Sequence, residues 1–176
     1  MEERYRMPTV SFSMVPDAAR VWVFGASQPL LGGDAERLLT GVDAFLRGWH
    51  AHGTPVVGSC DWVYDRFLMI AADEEATGVS GCSIDSLFRT LKAGENELGV
   101  SLLDSSLVFY RDTRQAVQTA DRAEFRALVK GGEVDGSTIV FDNTVGRVGK
   151  IRQGEWERPL RESWHAKAFI SDSRPR

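Results

Sequence analysis

Residues 79–100, V-S-G-C-S-I-D-S-L-F-R-T-L-K-A-G-E-N-E-L-G-V, carry the best-specified local structure in the chain. Ile84, Leu87, Phe88, Leu91 and Leu98 recur at helical spacing, so one apolar stripe faces a core while Arg89, Lys92, Glu95 and Glu97 face water. Ser80 or Ser83 caps the first turn, Asp85 complements the positive end of the helix dipole, and Gly99 stops the helix. Cys82 therefore stands beside a helix N-terminus, where a thiolate is stabilised relative to a thiol. Two readings of it stay open: a nucleophile or metal ligand, and a small buried thiol at a strand-to-helix turn.

Outward from this helix the chain alternates between strand and helix signals. Residues 20–26, R-V-W-V-F-G-A, form a short apolar run that predicts a buried strand. Residues 34–52 predict a helix with Asp34 as its cap, Trp49 on its core stripe and Gly53 as its stop. Residues 54–64 alternate and predict an edge strand. Residues 67–72, F-L-M-I-A-A, are apolar throughout and predict a strand covered on both faces. Residues 73–77 form an acidic loop, and after the opening helix residues 105–111 supply a last strand. Strand, helix, strand, strand, helix, strand is the order of the ferredoxin-like βαββαβ fold, with both helices on one face and the first and third strands central.

The expected class is thus α+β, with a leader over 1–18 and a ferredoxin-like half over 19–111. A small β-rich lobe with one short helix follows over 112–162, and a polar tail over 163–176 that frays at its Arg-Pro-Arg end. In the lobe, residues 116–119 pair back on the preceding strand, and Asp121 with Glu124 forms a capping box for a helix ending at Gly131-Gly132. Residues 138–141 predict a strand, and the glycines of 145–156 predict bulged hairpins. Period two sends large apolar groups to the helix-free sheet face, which needs the rest of the chain, a second copy or a ligand to cover it.

Composition narrows the function. A chain of 176 residues, 43% hydrophobic, with net charge −4 and scattered cations, carries no electrostatic footprint for nucleic acid. No apolar run approaches a membrane span and the first fifteen residues lack a secretory h-region, so a soluble cytoplasmic protein is expected. Two cysteines make no disulfide framework.

Three stretches are familiar together: Gly81-Cys82-Ser83-Ile84-Asp85, Val140-Phe141-Asp142-Asn143 and Glu162-Ser163-Trp164-His165. They resemble a group of short bacterial proteins of unknown function, some of which carry the automatic label of ABC-transporter ATPase. The resemblance implies no activity, and the label fails on the residues: Gly149-Lys150 has Thr144 at the place of the first P-loop glycine and Ile151 after the lysine. Residues 123–159 are also similar to GYF-related modules, whose relatives bind proline-rich peptides. The aromatic and Gly-Pro signature ahead of the helix is missing here, so the similarity implies a β-rich shape and does not imply peptide binding.

Candidate chemistry is sparse. Cys60, Cys82, His50, His52 and His165 show no metal-ligand spacing, so neither a metal nor a cofactor is expected. A thiol enzyme would use Cys82 with His165 as base, Asp142 or Asn143 to orient it and Asp85 nearby. Trp62, Tyr64, Asn143, Trp156 and Trp164 lie in segments polar enough to line a ligand cleft between lobes. Three functions remain: a non-enzymatic binding module for a small ligand or peptide, that thiol enzyme, and a homodimer forming a ferredoxin-like barrel around a small molecule.

Overall fold

A computed structural model describes residues 10–75 and 78–170. The chain runs β1 (Arg20–Gly25), α1 (Gly32–Arg47), a small hairpin of β2 (His50–Ala51) and β3 (Thr54–Pro55), β4 (Gly58–Val63), β5 (Phe67–Ala72) and α2 (Gly81–Leu98). Then come β6 (Val108–Arg111), β7 (Val117–Ala120), α3 (Arg122–Gly131), β8 (Ile139–Phe141), α4 (Val148–Arg152) and β9 (Glu157–Pro159). This is an α+β chain with antiparallel sheets.

The uninterrupted apolar run of β5 is buried at all six positions because it lies between β1 and β4 and is covered on both faces. Its alternate residues serve different cores. Leu68, Ile70 and Ala72, with Phe24 of β1, meet Leu38 and Leu46 of α1 and Leu87 and Leu91 of α2. Phe67, Met69 and Ala71, with Val21 and Val23, meet Phe109, Phe141, Val148 and Trp156. A third cluster, including Phe125, Val140, Leu160 and Phe169, lies around α3 and the strands of the second sheet.

The last strand of the expected first sheet is diverted. β6 does not pair with β1 but joins a second sheet of order β7-β6-β8-β9. β5 is consequently the one central strand of the first sheet, and β1 is an edge that carries, among the described residues, an isolated bridge between Arg20 and Arg147. The helix-free face is covered by the chain itself, which leaves no open sheet face for the barrel homodimer.

Other expectations change at their ends. α1 starts at Gly32, so Asp34 lies in its first turn and is not the cap; it stops at Gly48, because Trp49 turns into the core and donates its indole N–H to the Ser83 carbonyl at 2.9 Å. His52 and Gly53, at φ of 52° and 78°, close the β2-β3 hairpin beyond it. Residues 145–156 hold α4 in place of bulged hairpins: Gly149 donates to the Asp17 carbonyl at 2.9 Å, and a Cβ there would stand 3.0 Å from the Asp17 side chain. The leader is packed where described, since Val15 is buried and Arg152 donates to its carbonyl at 2.8 Å. The tail is likewise anchored by buried Ser163, His165 and Phe169, while its Arg-Pro-Arg end, like residues 1–9 and 76–77, lies outside the described residues. Among the described residues no helix is long and apolar enough to cross a membrane.

Candidate functional site

The diversion of β6 opens a cleft of about 410 Å³ along the edge of β1. One wall is the loop after α2. Gly99, at φ 66°, ends that helix, and Glu95 then holds the departing chain: one carboxylate oxygen accepts from the Leu102 and Leu103 amides at 2.7 and 2.8 Å. The other accepts from Lys92 at 2.6 Å. Burial raises the Glu95 carboxyl, but these donors outweigh it and hold the group below the ordinary 4.5. Glu95 was expected to face water; instead it lies on the buried stripe of Leu87 and Leu91, four residues further along.

The opposite wall is the turn after β8. Asp142 accepts from the Thr144 amide at 3.0 Å and from the Trp164 indole N–H at 3.1 Å, and Asn143 accepts from the Trp156 indole at 2.9 Å. Val140-Asn143 and Glu162-His165, two of the three familiar stretches, thus meet here. Phe109 and Phe141 also line the cleft, and the Phe109 ring lies where a side chain on Gly25 would be, 2.3 Å from an added Cβ. Phe88 and Trp164, 39% and 37% exposed, are the solvent-facing aromatics of the lining.

His165 lines the cleft yet is only 2% exposed. Burial pushes its imidazole down to about 4, against the opposing pull of Asp142, so it is neutral at pH 7. Its Nδ1 lies 2.6 Å from the Ser163 hydroxyl, which also accepts from the His165 amide at 3.1 Å. That is a local side-chain-to-backbone motif that fixes the ring, and it keeps the serine engaged within its own segment.

Cys82 is exposed at a separate hollow of about 390 Å³ beside His50, His52 and Ser86, whereas His165 lines the cleft. The Cys82, His165 and Asp142 set is therefore not assembled. Asp85 is exposed and lies beyond the first turn of α2, where Ser80 and Ser83 form a reciprocal capping box without it. The other thiol, Cys60, is pushed up to about 11 by burial, aided by Asp43 and Asp61. Among the described residues no three or more His, Cys, Asp or Glu side chains are grouped to hold a metal.

Of the residues expected to bind a ligand, Asn143 and Trp164 line the cleft. Trp156 is 5% exposed in the core between the sheets, and Tyr64 stacks on it at 6.0 Å while donating to Glu157 at 2.9 Å. Trp62 packs against the helix-side core with its indole N–H buried and without an acceptor. Sequence reasoning missed Phe109, Phe141 and the β1 edge, since only the partner choice of β6 brings them together. Phe88 could have been found, because it sits at the margin of its helical stripe. Comparisons of the chain with protein-family models, with curated proteins and with solved structures find no match.

Proposed function

We propose that the chain is a non-enzymatic binding module of the cytoplasm, holding a small ligand or a peptide in the cleft between its two sheets. In this reading residues 19–111 are a ferredoxin-like half whose fourth strand, β6, serves the second sheet, and the ligand occupies the place that strand vacates. One observation carries it: the cleft combines solvent-facing aromatics, Phe88 and Trp164, with a volume inside the range of about 300–1,000 Å³ that ligand pockets occupy. The Ser163 hydroxyl beside His165 is buried and closed on its own segment, and Cys82 stands at another hollow.

The test uses 1-anilinonaphthalene-8-sulfonate, an apolar dye that fluoresces when sheltered from water. It is expected to bind at one site, at least tenfold more weakly to Phe88→Asp and unchanged to Cys82→Ser. Equal binding by Phe88→Asp and the parent chain would sink the proposal.

A further inference from the structure

We infer that the cleft takes an extended, uncharged, apolar peptide that adds to β1 as a further strand; this rests on the binding reading above and names its ligand class. The argument starts from the direction of the β1 backbone. Ala26 donates to the Arg66 carbonyl on the β5 side, at 2.7 Å. Val21 donates to the Gly146 carbonyl at 3.2 Å and Ser27 to the Ser101 carbonyl at 2.8 Å, both away from β5. Backbone groups alternate along a strand, so Val23 and Gly25, between those two, also direct their N–H and C=O groups away from β5.

The chain closes this edge at its two ends and leaves the middle open. Among the described residues no backbone or side-chain hydrogen bond reaches the outward groups of Val23 and Gly25. Both residues are buried and both line the cleft. A buried backbone group left unpaired is costly, so these groups favour an occupant that offers acceptors and donors in alternation. A peptide backbone does so at the matching rise of roughly 3.3 Å per residue. The open stretch, bounded by the bonds at Val21 and Ser27, continues a pairing that the chain has itself begun at both ends.

The walls set the side-chain chemistry. Arg20 faces Glu74 at 3.5 Å, Asp104 is exposed at the rim where it accepts from the Ser106 amide at 2.9 Å, and His165 is uncharged, so the buried middle of the cleft, among the described residues, offers a charged side chain no opposite charge. Phe88 and Trp164 offer apolar surface instead. Main-chain pairing would supply affinity and these rings the selection, as in other strand-addition sites.

The experiment exposes the full chain to a pool of acetylated, amidated hexapeptides randomised over Val, Leu, Phe, Thr and Ser. A second pool carries an N-methyl group at every residue, which removes all main-chain donors from both edges, and 1-anilinonaphthalene-8-sulfonate reports the cleft independently. The first pool is expected to be retained at least tenfold more than the second and to slow amide exchange of Val23 and Gly25 at least tenfold. Val23→Pro, which removes an N–H that β5 does not use, is expected to retain the first pool at least tenfold less than the parent, with an unchanged circular dichroism spectrum showing that the chain is folded. Equal retention of the two pools, or unchanged exchange at Val23 and Gly25, overturns strand addition. Dye binding with neither pool retained also overturns it and spares the cleft, whereas loss of all three overturns both readings. A doubled native mass without peptide, with Val23 and Gly25 already protected, gives the edge to a second copy and overturns the inference.

Discussion

The two faces of the first sheet are both buried, yet they are built differently. Towards the helices the central contacts are aliphatic, between Leu68 and Ile70 on the sheet and Leu38, Leu46, Leu87 and Leu91 on α1 and α2, while β1 adds the aromatic pairs Phe24 with Phe88 and Trp22 with Trp49. Towards the second sheet they are aromatic: the Phe67 ring lies 5.1 Å from Phe109, 4.7 Å from Phe141 and 5.0 Å from Trp156. The first face is assembled from amphipathic helices that announce themselves by period. The second is assembled from single rings on short strands far apart in the chain. A face can therefore be covered without any local sign of what covers it.

The strongest way to break this comparison is Phe67→Ala. It empties the aromatic junction at a fully buried site and is expected to cost about 3–5 kcal/mol, measured by equilibrium denaturation. The parent and Leu68→Ala, on the opposite face, should unfold in one transition. Two separate transitions would show the faces to be independent units rather than halves of one core.

His165 sharpens the comparison on the side of the second sheet. Its folded value of about 4 lies below the unfolded 6.5, so the unfolded chain binds the extra proton between these limits. Its contribution is full above pH 6.5 and is lost as pH falls towards 4, by about 3 kcal/mol. Stability measured across that window should fall in the parent and flatten in His165→Gln; parallel curves would remove His165 from the account.

Glu95 does the same on the helix side, with a smaller effect. Glu95→Gln is expected to cost about 2 kcal/mol at pH 7, the loss of charge-assisted hydrogen bonds to the Leu102 and Leu103 amides. Because the folded carboxyl is depressed below 4.5, that stability is present above the unfolded value and is lost as pH falls through the folded one. The gap between variant and parent in chemical denaturation should close in acid, and a gap independent of pH would point to packing alone.

What the sequence made legible was local. The stripe of Leu87 and Leu91, the capping box of Asp121 and Glu124, the stops at Gly99 and Gly132 and the buried run of β5 each depend on neighbours a few residues away. The destination of β6 did not show, because Val108-Phe109-Tyr110 reads as the same strand whichever sheet receives it. The charge of Glu95 reads as solvent-facing, although its place four residues after Leu91 lies on the buried stripe. The candidate site divides likewise: Asn143, Trp164 and His165 were singled out and do line the cleft, but no spacing along the chain could separate His165 from Cys82.

The aromatic junction also sets an order of events on the ribosome. Phe67 leaves the exit tunnel long before Phe141 and Trp156 are made, and at roughly 5–20 residues per second the wait lasts several seconds. During it β1, β5 and the two helices can already associate, since all of their contacts are in hand. The nascent protein then displays a bare apolar sheet face beside an unpaired strand edge, and its yield depends on the pace of synthesis as well as on its final stability.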